Sequence, residues 1–186
     1  MGFNFKFVYG MPNSLSQGIK EEIKQFSKAA YTVSVLSKAR VGMLGYAAMG
    51  MYTGTFDHID VRKKIGVEVE HLGQYVLVKR VDEISDEQVK ELVSMAKRDW
   101  EIEPLVTEED LKKAMKIYIA LKDISIKFNW SALTVKCQYE LSKYYKTTPC
   151  IGLSLLADEL PCSCEGDILL IITQLMMYYL TGNPVA

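Results

Sequence analysis

RVGMLGYA, residues 40–47, is a short apolar run closed on both sides by glycine and polar residues, and it decides the fold class. A run this short cannot make a helix long enough to bury itself. It suits instead a strand covered on both faces, and such strands belong to parallel sheets, where helices lie above and below. Working outward, strand-like and helix-like segments alternate. Residues 15–37 place Leu15, Ile19, Ile23, Phe26, Ala30 and Val33 at three- and four-residue steps, one face of a long helix. A helix is expected at 56–65 and a strand over GVEVEHL, 66–72. YVLVKRV, 75–81, has strand propensity but follows a strand too closely to be assigned by pattern alone.

Beyond it, Ser85 with Gln88 three residues later is a capping box, predicting a helix to about Asp99. Thr107 opens another helix to about Lys127. SALTVKCQ at 131–138 reads as a strand, 150–160 as a helix, PCSCE at 161–165 as a strand and 168–181 as the last helix before Gly182-Asn183-Pro184. The expectation is a three-layer, doubly wound α/β domain with a mostly parallel sheet and helices on both faces. Residues 1–14, with alternating Phe3, Phe5 and Phe7, are expected to form an N-terminal strand and linker, and 15–186 the α/β domain.

The bulk properties narrow the function. A chain of 186 residues buries roughly 70% of its unfolded surface and needs no disulfide or metal staple. With 22 basic and 23 acidic residues and no basic run beyond Arg62-Lys63-Lys64, nucleic acid is not an expected partner. The apolar stretch 168–180 is shorter than the about 20 residues a membrane crossing takes, so no membrane role is expected. The start MGFNFKFVYG lacks a basic n-region and an apolar h-region, and the four cysteines sit in apolar surroundings, so a cytoplasmic chain with reduced thiols is expected.

Several candidate chemistries fall away on spacing. The glycines of GMLGYAAMGMYTG, 42–54, match neither a dinucleotide fingerprint nor a P-loop. No GxSxG elbow occurs. A tetrathiolate zinc site would need paired knuckles, and only Cys162 and Cys164 are close in sequence, so the cysteines read as small core residues. His58, in FDHID, could join Asp57 or Asp60 around a cation, and His71 ends a strand, but each reads more simply as a satisfied surface or core histidine.

The carboxylates are more informative. In doubly wound sheets ligands sit beyond the carboxyl ends of the strands. Glu140 falls three residues past Cys137 and Asp167 three past Cys164, each just beyond such an end. Two readings stand side by side: a pair of acids reaching one cleft, or a solvated first-turn glutamate (Glu140) and a helix N-cap (Asp167).

A resemblance bears on the choice. SALTVKCQYEL, then PCIGLSLLADELPCSCEGD and ILLIITQLMMYYLTGNP, resembles the L-fucose isomerase family and its L-arabinose isomerase relatives, and 40–72 resembles the start of the same Rossmann-like domain. The resemblance implies an aldose–ketose isomerase that moves a proton between C1 and C2 through an enediol, with Mn²⁺ or another divalent cation on the sugar oxygens. It further implies Glu140 and Asp167 as metal ligands and acid/base pair, a monosaccharide substrate and a homo-oligomer. Glu165 belongs to the same motif, but alternation along a strand turns it away from its neighbours. The family takes a third ligand, a histidine, from a C-terminal domain and also carries an N-terminal domain. The expectation is therefore a middle domain, with little or no turnover alone. A non-catalytic sugar-binding or regulatory domain is the alternative. A third reading is an interaction fragment that docks a partner on the helix Ile168 to Leu180.

Overall fold

The computed structural model describes residues 5–48 and 50–184. Its sheet has four parallel strands in the order β2-β1-β3-β4: β1 is Arg40–Leu44, β2 Glu68–Leu72, β3 Ala132–Val135 and β4 Cys162–Cys164. Seven helices are interleaved among the described residues: α1 Gln17–Leu36, α2 His58–Lys64, α3 Tyr75–Glu83, α4 Asp86–Asp99, α5 Glu108–Phe128, α6 Cys150–Ala157 and α7 Ile168–Thr181.

Alternation along the strands produces the three layers. In β1, Val41 and Met43 face a cluster made with Val61 of α2 and Ile168, Ile171 and Leu175 of α7. Leu44, with Leu133 and Val135 of β3, faces the opposite cluster, built on Leu77, Met115, Ile117 and Leu121 of α3 and α5. Each strand of the central pair is therefore apolar on both faces, as its sequence requires. Gly42 answers a steric demand: a β-carbon there would lie 2.0 Å from the Trp130 ring, whose indole N–H donates to Glu70 Oε2 at 2.7 Å.

The ambiguous segment 75–81 is helical. Leu77 and Val81, four apart, bury one stripe of α3, and tertiary packing outweighs the strand propensity of its valines. The Ser85 capping box forms as expected, its N–H donating to Gln88 Oε1, and the helix that Thr107 opens carries a second box, the Thr107 N–H donating to Asp110 Oδ2, both at 2.9 Å.

Two expectations are corrected. Of the proposed N-terminal strand, Phe3 lies outside the described residues, and Phe5, Phe7 and Tyr9 are exposed and unpaired with the sheet, whose edges are β2 and β4. Alternating aromatics without a neighbouring strand cannot complete a ladder. The long helix forms, capped by Ser16, but buries only Thr32 and Leu36; Ile23, Phe26 and Val33 of the expected core face are exposed. Its spacing is helical, yet α1 packs mainly on α7 and joins the cluster under the sheet only through Leu36 in its last turn. Among the described residues, no helix is long and apolar enough to cross a membrane.

Candidate active site at the carboxyl ends of the strands

β1 is followed by β2 on one side, whereas β3 lies on the other, so the loops leaving β1 and β3 diverge and open a crevice between them. It measures about 570 Å³ and is lined by Tyr46, Gln74, Tyr75, Glu140, Tyr144 and Tyr145. Gly45 turns the chain out of β1 with φ +96°, a conformation glycine adopts freely. Beyond β3, Glu140–Tyr144 form a short π-helical turn that carries Glu140 into the crevice.

Glu140 is held by a buried lysine. The Lys136 side chain is 0% exposed; its ammonium donates to Glu140 Oε1 at 3.0 Å and lies 2.8 Å from Oε2. The same ammonium sits 3.7 Å from the centre of the Tyr46 ring, while the Tyr46 hydroxyl donates to Glu140 Oε1 at 3.1 Å. The lysine hydrogen bond, against an opposing contribution from burial, holds the Glu140 carboxyl below its ordinary pKa. Burial, the largest single influence, works to lower the Lys136 pKa, but the hydrogen bonds and charges of Glu140 and Tyr46 together outweigh it and the net shift is upward. The pair is thus ionic at neutral pH. Gln74 closes the floor by donating to the Lys136 carbonyl, and its own Oε1 is buried with no donor.

Asp167 is placed differently. Its Oδ1 accepts the Leu170 N–H at 2.9 Å, so it caps α7, the simpler of the two readings of this residue. The acid turned into the interior beside it is Glu165. β4 ends at Cys164, and Glu165 adopts φ +66°, followed by Gly166 at +68°. The alternation argument that sent Glu165 outward therefore runs one residue past the end of the strand. The Ala48 N–H donates to the Glu165 carbonyl at 2.9 Å, locking the β4 loop against the β1 loop. A β-carbon on Gly166 would lie 2.4 Å from the Tyr46 carbonyl oxygen, so only glycine permits this approach.

The Glu165 carboxylate accepts the Cys137 thiol hydrogen at 2.9 Å through Oε1, while its Oε2 is buried without a donor. Burial first, and then Glu165, push the Cys137 thiol far above its ordinary pKa. Cys162 is a core residue whose thiol burial raises to about 12, and it donates to the Leu160 carbonyl. All four cysteines are free.

The histidines serve each other. His58 and His71 share a contact of 2.7 Å between their Nε2 atoms and pack on Phe56. Burial, with His58 beside it, holds His71 below its ordinary pKa. Asp57 is occupied as the cap of α2. The last helix is half core: Ile168, Ile171, Ile172 and Leu175 are buried, and Leu169, Leu170 and Met177 face outward.

Sequence reading did not find Lys136, Tyr46 or Gln74. Lys136 sits just past a buried strand and four residues before Glu140, a spacing that places both groups on one side of the turn. Residues 50–176, more than half of the chain, match the family described as the L-arabinose isomerase central domain. No curated protein matches the chain.

Proposed function

The chain belongs to the L-arabinose isomerase central-domain family, and from that premise we propose that it carries the proton-transfer and cation-binding face of an aldose–ketose isomerase. The observation that carries this reading is a pair of carboxylate oxygens at the ends of β3 and β4. Glu140 Oε2 and Glu165 Oε2 are both shut off from solvent and receive no hydrogen bond. The Lys136 ammonium, 2.8 Å from Glu140 Oε2, compensates that oxygen by charge, which leaves Glu165 Oε2 as the oxygen with no compensating partner. An unpaired buried acceptor such as Glu165 Oε2 costs about 1–3 kcal/mol, a cost that a divalent cation would remove. The donor set on these two atoms is hard oxygen, which suits Mn²⁺.

An aldose becomes a ketose when the C2 proton moves to C1 and the O2 proton to O1. The Glu140 carboxylate, kept ionised by Lys136, takes the carbon-bound proton and returns it to the neighbouring carbon. Tyr46, bound to the same carboxylate, fixes its orientation. Bound at Glu140 and Glu165, the cation would polarise the sugar carbonyl and stabilise the enediolate. Asp167 keeps a second oxygen beyond its capping bond and stands as the other proposed ligand. A homo-oligomer and a monosaccharide related to L-arabinose complete the proposal.

Mn²⁺ binding, followed by the loss of its free-ion paramagnetic resonance signal, separates the ligands. Glu140→Gln and Glu165→Gln should each weaken binding by about tenfold or more. An unchanged affinity in Asp167→Asn leaves the second position with Glu165, and a loss there assigns it to Asp167. Unchanged affinity in all three variants overturns the metal reading.

One observation favours a second reading, a non-catalytic sugar-binding domain. Tyr46, Tyr75, Tyr144 and Tyr145 give the crevice the aromatic walls that cover the C–H face of a sugar. Aldopentose binding in the presence of a chelator, undiminished in Glu140→Gln, would select it.

A further inference from the structure

We propose that Cys137, Cys164 and Glu165 form a site for a thiophilic divalent cation of the Zn²⁺ type, with one coordination position open. The proposal shares Glu165 with the isomerase reading and is otherwise independent of it. Among the described residues these three form the one group of three metal-ligating side chains whose donor atoms, two sulfurs and an oxygen, all lie within 4.8 Å of one another. Tetrahedral zinc with Zn–S and Zn–O bonds of about 2.3 and 2.1 Å sets its ligand atoms about 3.4–3.8 Å apart. The group therefore needs to close by about 1 Å.

Core filling accounts for the thiols but not for the carboxylate. A protein interior accepts cysteine readily as a small apolar residue. It does not readily accept a carboxylate with one oxygen on a thiol and the other on nothing, which is the state of Glu165. The backbone is built to produce that state. Cys164 ends β4 and pairs in register with Val135, so Cys137, two residues on, overhangs it. The left-handed turn at Glu165 and Gly166 then folds the carboxylate back over both sulfurs, where the sheet direction alone would carry it away. The Cys137 thiol hydrogen now occupies the position a cation would take.

The donor chemistry selects the ion. Two thiolates prefer Zn²⁺, Co²⁺ or Cd²⁺ over Mg²⁺ or Ca²⁺, and a site with three protein ligands leaves a fourth position for water. On binding, the two thiol protons leave to solvent and two sulfur–metal bonds and one oxygen–metal bond form, with no change of oxidation state.

Titration of the chain with Co²⁺ tests this. One equivalent should produce a sulfur-to-metal charge-transfer band that Zn²⁺ then abolishes. The band should vanish in Cys137→Ala and in Cys164→Ala, persist in Cys150→Ala and Cys162→Ala, and need about tenfold or more added metal in Glu165→Gln. No band in the unsubstituted chain, or a band that follows Cys150 or Cys162, overturns the proposal. Should a variant fail to fold, ultraviolet absorption of Cd²⁺ bound to the unsubstituted chain reports two thiolates per metal without any substitution, and its absence overturns the proposal equally. Glu140→Gln separates the two readings: it should keep the Co²⁺ band while losing Mn²⁺, so each can fail alone.

Discussion

Glu140 and Glu165 stand at the ends of adjacent parallel strands, each with a buried oxygen, and differ in what compensates the charge. Glu140 has a fully buried ammonium and a tyrosine hydroxyl. Glu165 has one thiol. A carboxylate beside an ammonium has its charge compensated and is held ionised, whereas one beside a thiol has only a weak donor and gains more from a cation. The difference arises one step earlier in the chain: a π-helical turn returns Glu140 over Lys136, and a left-handed pair returns Glu165 over Cys137.

The largest effect should come from removing the acid and keeping the lysine. Glu140→Leu leaves the Lys136 ammonium, 0% exposed, without its carboxylate and should cost about 3–5 kcal/mol in urea unfolding. Lys136→Met should cost less, because the Glu140 side chain is 39% exposed and can turn to water. Equal losses would show that the two partners are equally buried and break the asymmetry.

Next in size is the loop that aims Glu165. Gly166→Ala meets both a positive φ and a carbonyl oxygen at 2.4 Å, and should cost about 1–3 kcal/mol while loosening metal binding. Gly182, at the end of α7, also has a positive φ but open space around it, so Gly182→Ala should lose only the conformational part, about 1 kcal/mol. Matching losses would mean that the approach of the β1 and β4 loops is not tight.

These two positions also mark where sequence reading succeeds and where it stops. The strands after residue 40 and the main helix ends carry local signals, such as the Ser85 and Thr107 capping boxes or the Gly182 stop, so the alternation that dictates a parallel sheet is legible residue by residue. Glu140 was legible as an acid past a strand end. Glu165 was not, because the period-2 rule holds only while the strand lasts, and β4 ends at Cys164. Lys136 was not, because nothing local distinguishes a buried, paired lysine from a solvated one. The exposed face of α1 was misplaced for a related reason: helical spacing says which residues share a face, not what covers it.

A smaller effect bears on the thiol. Cys137→Val fills the same space but removes the donor to Glu165 Oε1, and should cost about 1–2 kcal/mol. Cys137→Ser, which keeps a donor, should cost less. The reverse order would mean that packing and not the hydrogen bond holds Glu165 in place.

The smallest effect is in the pH dependence, and its sign follows from the ion pair. The Glu140 pKa is lowered in the folded chain, so its contribution is present above the ordinary carboxylate pKa and lost as pH falls through the lower folded value. The Lys136 pKa is raised, so its contribution is present below the ordinary lysine value of 10.5 and lost as pH rises through the folded value. Between these limits the pair contributes a plateau. Unfolding of Glu140→Gln measured across acid pH should therefore lack a decline that the unsubstituted chain shows, by a few tenths to about 1 kcal/mol, since Glu140 is partly exposed and solvent screens the pair. Parallel acid profiles for the two proteins would place the compensation of Glu140 in water and not in Lys136, and would remove the contrast with Glu165.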